Sequence, residues 1–254
     1  MASIPLRPMS TGEILDASFA LLRRHAGVFF GVAIVCQGPP TALQLFVQFG
    51  GGVGAHFGLF VFARLLNGLG YLLITAACIR VVSQAYLGQE PGMGEALAFA
   101  WQRVWRTLSA ALSAVFLATL AAFLLVVPGI IVACGFAVAV QAAVLESLHS
   151  GSDGLGRSWV LTRGYKWKAF GLYVVVGIIA TIVLFGLSVV GAIATALFPP
   201  LLVPVVVSFA LVFLFAYPFV SCVFTLFYYD LRVRREAFDL ELLGRHLGVA
   251  VAPV

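Results

Sequence analysis

Charge is what this sequence has least of. Only 10% of its 254 residues are Asp, Glu, Lys or Arg, against roughly a quarter in ordinary soluble domains. Runs of about 20 residues carry no charge at all, a length that suits the hydrocarbon core of a bilayer and exceeds what a soluble core needs. Histidine and cysteine are also sparse. Cys36, Cys78, Cys134 and Cys222 lie in or beside apolar runs without CxxC spacing, which argues against a zinc site and for small buried hydrophobes. His25, His56, His149 and His246 are scattered, and the chain has no HExxH, no GxSxG and no phosphate-binding glycine loop. No catalytic residue, metal ligand or cofactor is therefore expected. The cleavage pattern of a signal peptide is missing from the start of the chain, so the first apolar run is expected to remain as an anchor.

What is abundant is apolar: 62% of residues are hydrophobic and the mean hydropathy is +1.09. The chain is organised around the stretch from Glu95 to Glu146. Leu97, Trp101, Val104 and Leu108 recur at helical spacing, with Gln102, Arg103 and Arg106 on the other side, as in a helix lying at a membrane surface. Residues 107–145 then carry no charge. As one straight helix they would extend about 60 Å at ~1.5 Å per residue, twice the ~30 Å of a hydrocarbon core. The segment must turn back, and Pro128-Gly129 is the expected turn.

Two further units have the same plan. Ser10-Thr11-Gly12-Glu13 fits a capping box opening a helix with Leu15, Phe19 and Leu22 on one face. Span 1 is expected from Ala26 to Val47, kinked or interrupted at Gly38-Pro39-Pro40, where two backbone donors are lost together. A glycine-rich loop over 48–58 leads to span 2, Leu59 to Ala85, with Arg64 and Asn67 near its start and Arg80 near its end. Both arginines are expected to snorkel to an interface. The third unit begins with a surface helix carrying Leu155 and Trp159. A basic cluster of Arg163, Lys166 and Lys168 follows around Trp167, then span 5 from Ala169 to Ala194. After a turn at Phe198-Pro199-Pro200, span 6 runs from Val203 to Tyr228 with a kink at Pro218. A separate amphipathic tail helix is expected over 229–245, supported by Asp230/Arg234, Arg232/Glu236 and Arg235/Asp239 at four-residue spacing. Residues 246–254 are expected to form a flexible tail.

The three surface helices repeat one order of residue types. Glu13, Leu15, Phe19 and Arg24 match Glu95, Leu97, Trp101 and Arg106 at identical offsets; Asp153, Leu155, Trp159 and Arg163 repeat them with the base one place earlier. An acid at the start and a base at the end complement the helix dipole. The expected fold is thus all-α: one polytopic membrane domain over 1–245 with six transmembrane helices, in units 10–88, 92–147 and 152–228. Amphipathic interfacial helices precede spans 1, 3 and 5. Phe19, Trp101, Trp105, Trp159 and Trp167 are the expected interfacial anchors. With six spans, all Lys and Arg except Arg64, and all Asp and Glu, fall on one side, which the positive-inside rule makes cytoplasmic. The +5 net charge is accordingly topological, and no nucleic-acid partner is expected.

The stretches Arg7-Pro8-Met9-Ser10-Thr11-Gly12-Glu13-Ile14-Leu15-Asp16, Arg157-Ser158-Trp159-Val160-Leu161-Thr162-Arg163-Gly164 and Tyr228-Tyr229-Asp230-Leu231-Arg232-Val233-Arg234-Arg235-Glu236 resemble bacterial proteins of the glycerophosphoryl diester phosphodiesterase membrane domain family. Ala237 departs from the glycine expected after the Arg-Glu pair. The resemblance implies a stand-alone bacterial membrane domain, and with the charge distribution above the expectation is a multi-pass protein of the inner membrane with both termini cytoplasmic. It does not imply the phosphodiesterase activity, which in fused relatives belongs to a soluble barrel of about 250 residues for which this chain has no room.

Two functions remain open. In the first, the protein is a scaffold or anchoring subunit that organises lipid or recruits another membrane or cytoplasmic protein, with Asp230, Arg232, Arg234, Arg235 and Glu236 as tail contacts. In the alternative, the spans form a pathway for a small solute or lipid, with Gln37, Gln44, Arg64, Asn67 and Gln141 as an in-membrane polar site. The scaffold is favoured because ionisable groups within the spans are so few, and a shared cavity around these polar residues would favour the pathway.

Overall fold

The computed structural model describes residues 8–50 and 57–236. Arg7, most of the 48–58 loop with His56, Ala237, the Arg235/Asp239 pair, the tail helix beyond Glu236 and the 246–254 tail lie outside the described residues. The described elements are helical and contain no strand: α1 (Thr11–Arg24), α2 (Ala26–Phe49), α3 (Phe57–Tyr86), α4 (Met93–Gln102), α5 (Val104–Leu124), α6 (Val126–Gly135), α7 (Ala139–Leu145), α8 (Asp153–Thr162), α9 (Lys166–Leu197), a 3-10 turn (Pro199–Leu201) and α10 (Leu202–Glu236). Six segments among them are long and apolar enough to cross a membrane: α2, α3, α5, α6 with α7, α9, and α10 with its preceding turn. The protein is a multi-pass helical membrane bundle. Short amphipathic helices α1, α4 and α8 precede spans 1, 3 and 5.

Local chemistry sets the helix starts. Ser10 Oγ accepts from the Glu13 amide at 3.2 Å, and the Glu13 carboxylate accepts from the Ser10 amide at 2.7 Å, completing the capping box. At the start of α8 the N-cap Ser152 makes no side-chain cap bond, and the Asp153 carboxylate instead accepts from the Ser150 amide at 2.8 Å in the preceding turn. The second unit differs. Glu95 accepts from Gln84 Nε2 at 2.8 Å instead of capping its own helix, so the acid that repeats in sequence has two structural uses.

Several breaks fall elsewhere than the sequence indicates. Span 1 is one continuous helix through Pro39 and Pro40. The carbonyl of Cys36, deprived of a helical donor by Pro40, lies against Gly70 of α3: a Cβ there would come within 2.3 Å of that oxygen. Close contact with α3 across the prolines thus replaces the expected interruption. The turn between spans 3 and 4 lies at Leu125, which is extended, and Pro128 falls within the first turn of α6, where its missing N–H is not needed. Gly129 instead allows α6 to approach α5, since a Cβ on it would meet Ala122 at 2.6 Å.

Span 4 is the broken one. Helix α6 ends at Gly135 and α7 begins at Ala139. The side chains of α8 satisfy the freed backbone groups. Ser158 Oγ donates to the Gly135 carbonyl at 2.8 Å and accepts from the Val138 amide at 3.2 Å, while Thr162 Oγ1 donates to the Gly135 carbonyl at 3.1 Å. Irregular backbone at membrane depth requires such internal partners. Finally, α10 passes through Pro218 and continues without a break from span 6 to Glu236. Residues 229–236 are therefore an extension of span 6, not a separate surface helix. Tyr228, Tyr229, Asp230 and Leu231 are buried there, and burial on all sides holds this part of the helix in line with the span.

The densest core sits toward the charged ends of the spans, among Ile74–Val82, Cys134–Val144 and Phe219–Leu231. All four cysteines are free and buried. At the opposite end the spans face outward, with Phe123 88% exposed and Leu124 to Val127 exposed beside it. Lipid tails solvate such residues as well as a protein core would, so close helix contact there depends on small residues. Gly70 and Gly68 test that dependence within one helix. Gly70→Ala is expected to lower stability by about 1–3 kcal/mol through overpacking against the Cys36 carbonyl. Gly68→Ala, where a Cβ meets nothing within 4 Å, should be neutral or stabilising by up to about 1 kcal/mol; thermal unfolding in detergent distinguishes the two.

Candidate functional site

The contact between α2 and α3 that closes over Gly38-Pro39-Pro40 also brings their polar residues together. Gln37, Thr41 and Gln44 share one face of α2 through their spacing of four and three, and Arg64 and Asn67 lie one turn apart on α3. Asn67 Nδ2 donates to Gln37 Oε1 at 3.3 Å. These five side chains, with Tyr217 of α10, line a cavity of about 260 Å³. Gln44 Nε2 is buried there without a hydrogen-bond partner, and leaving such a donor unpaired costs about 1–3 kcal/mol. Arg64 rests over the Phe60 ring at 5.1 Å and has no carboxylate within salt-bridge distance among the described residues.

Gln141 is not part of this cavity. It lines a neighbouring cavity of about 320 Å³ with Tyr71, Thr75, Thr107, Tyr217 and Ser221. The break in span 4 lies just before it. Tyr217 borders both spaces, and its ring meets that of Tyr71 edge-on at 4.8 Å, so the tyrosine pair stands where they adjoin. Ser221 Oγ is buried without a partner. Four of the five polar residues singled out from sequence therefore converge and the fifth lies next door. Thr41 and Tyr217 were missed. The row Gln37, Thr41, Gln44 was the available signal for Thr41; Tyr217 offers none beyond being a phenol within an apolar run.

At the charged end, ionic groups are engaged with one another. The carboxylate of Asp230, fully buried, accepts from Lys168 Nζ at 2.6 Å, from Arg234 Nε at 3.0 Å and from the Met9 amide at 2.7 Å. Arg234 also donates to the Met9 carbonyl at 2.8 Å, as does Lys168. A second network centres on Glu146, which accepts from Arg157 Nε at 2.7 Å and from the Tyr228 hydroxyl at 2.8 Å. Arg157 also pairs with Glu236, which in turn accepts from Arg232 at 3.0 Å. Arg235 donates to the Arg163 carbonyl. Burial lowers the Arg157 pKa, but the bonds to Glu146 and Glu236 outweigh that and leave it above the ordinary arginine value. Arg103 is the contrast: burial, then the neighbouring charges of Arg106 and Arg80, push its pKa down.

The expected anchors Phe19, Trp101, Trp105, Trp159 and Trp167 are all exposed, Trp159 the least of them, and Phe19 also meets Phe219 at 4.4 Å. Trp159 packs on Gly135, where a Cβ would come within 2.3 Å of its ring, and carries Lys166 Nζ at 3.3 Å over its face. Among the described residues no three His, Cys, Asp or Glu side chains gather as they would around a metal ion. Comparison with protein-family models, with curated proteins and with solved structures finds no match.

Removing the buried carboxylate leaves two cations without their counter-charge. Asp230→Asn is expected to destabilise by about 3–5 kcal/mol, and Asp230→Leu combined with Lys168→Met should recover part of that loss. Thermal unfolding of the purified protein measures both.

Proposed function

We propose that this chain is a bacterial inner-membrane protein with both termini in the cytoplasm, and that its spans bind and pass a small polar or amphiphilic solute. The observation that carries this reading is the convergence of Gln37, Thr41, Gln44, Arg64 and Asn67 with Tyr217 on one cavity among three spans. Polar side chains within a bilayer are disfavoured unless they pair or serve a ligand. Here one amide nitrogen is buried unpaired and one guanidinium has no carboxylate within salt-bridge distance among the described residues. The second cavity, reached past Tyr217, extends the polar lining toward the charged face. The share of basic residues on that face supports its cytoplasmic position by the positive-inside rule.

The scaffold reading has less support. Asp230, Arg232, Arg234, Arg235 and Glu236 make their contacts within the chain, to the segment before α1 and to α8, α9 and the residues flanking α8. Those contacts hold the bundle together and leave fewer charges for a partner. No catalytic role is proposed, and the resemblance to the phosphodiesterase membrane domain family rests on the residues quoted for it alone.

Thiols react as thiolates, which form readily only where water reaches them. In a background with the four native cysteines replaced by alanine, Gln44→Cys and Asn67→Cys should react with a charged, membrane-impermeant methanethiosulfonate about tenfold or more faster than Phe62→Cys, which is exposed on the outside of α3. Equally slow reaction at all three positions would show that the cavity is closed to polar molecules and would sink this reading.

A further inference from the structure

Arg64 is the basic residue that departs from the charge distribution of the whole chain, and it borders a second space besides the polar cavity. This is an apolar groove of about 790 Å³ between α3 and α5, lined by Leu65, Leu69, Leu72, Leu108, Leu112 and Val115, with Trp101 and Trp105 also bordering it. A polar compartment thus meets an apolar one at a single guanidinium. Along α3, Arg64 lies about 24 Å from Arg80 at ~1.5 Å per residue. With Arg80 near one interface, that places Arg64 close to the far boundary of a ~30 Å hydrocarbon core.

We propose that the occupant of this site is a lipid with an anionic headgroup. The headgroup sits against Arg64, with Asn67 and the unpaired Gln44 amide as further donors, and an acyl chain lies in the groove toward Trp101 and Trp105. This deepens the preceding proposal and rests on it, since it names the chemical class that the polar cavity receives. Three features select an anionic amphiphile. Arg64 has no carboxylate partner among the described residues, and its neighbours offer amide N–H donors. At the boundary of the hydrocarbon core the guanidinium stands at headgroup level, where an anion complements its charge. The groove presents aliphatic and aromatic surface only, apart from Arg64, so a fully polar solute would leave it unfilled. A zwitterionic lipid fits the groove equally well but brings a cation to a site that already holds one, so charge selects between the two.

The reactive cysteine in the polar cavity reports occupancy of this site in particular, which bulk lipid binding would not. In proteoliposomes of dioleoyl phosphatidylcholine, replacing part of the lipid with dioleoyl phosphatidylglycerol should slow methanethiosulfonate labelling of Thr41→Cys, which lines the polar cavity without being one of the headgroup donors. The rate is normalised to Gln48→Cys at the exposed end of α2. The slowing expected is about fivefold, as for a ligand present at about four times its Kd. Arg64→Gln should abolish that protection, whereas Arg103→Gln at the charged face should keep it. Leu112→Trp, which fills the groove from an outward-facing position and leaves Arg64 in place, should reduce protection as well. Protection that persists in Arg64→Gln, or that Leu112→Trp does not alter, would overturn the proposal. Equal protection by millimolar inorganic phosphate without phosphatidylglycerol would overturn it too, by showing that charge alone fills the site. The two readings fail separately. Slow labelling of Thr41→Cys in plain phosphatidylcholine removes the open cavity and both proposals, while fast labelling unaffected by phosphatidylglycerol removes the lipid alone.

Discussion

A carboxylate taken out of water must be given donors and counter-charge, and Asp230 receives both from three separate parts of the chain. Its Lys168 partner opens span 5, its Arg234 partner lies one turn further along span 6, and the Met9 amide belongs to the segment that precedes α1. Each of these is far from the others in sequence, so the node can form only when the first and third units are docked. Replacing such a cluster by well-packed apolar residues could leave a protein as stable. What the charges add is selectivity of register, because a helix slid by one residue would leave a cation and an anion buried apart.

The two ends of the bundle consequently follow different rules. At the charged end, ion pairs, tyrosine hydroxyls and small buried residues such as Ala76, Ala77 and Ala142 hold the helices close. At the other end, aliphatic and aromatic side chains face the lipid and the helices have little reason to close on one another. The polar cavity lies on the two helices, α2 and α3, that remain in close contact through Gly70 and the Cys36 carbonyl. These two walls are held by a backbone contact, and Phe213, Leu214 and Tyr217 of α10 form the third, so polar side chains can face an open space without loosening the α2–α3 pair.

The six spans and the three short helices before spans 1, 3 and 5 were readable from the sequence because they depend on long uncharged runs, on local capping and on the recurrence of acid, leucine and aromatic at fixed offsets. The breaks were not, because each is decided between helices. Pro39 and Pro40 look like an interruption until Gly70 is seen against the carbonyl they expose. Gly135 looks ordinary until Ser158 and Thr162 are found bonding to it. The same holds for α10: the burst of charge after Tyr228 marks the end of the membrane in one dimension, but the helix continues because the ionic partners wait for it on other elements. The polar residues of the cavity were visible as exceptions within apolar runs, whereas their convergence, and the exclusion of Gln141, depended on helix rotation that no spacing rule within a single span supplies.

The break in span 4 has a mechanical consequence. Its loose backbone ends are fastened to α8, a helix anchored among charges at the membrane boundary, through two hydroxyls that grip one carbonyl and one amide. Both sides of the break, Gly135 at the end of α6 and Val138 just before α7, are therefore geared to α8. Any shift of α8 along the surface pulls on a joint in the middle of the bundle, one short helix away from Gln141, and the stiffness of that linkage is set by Ser158 and Thr162.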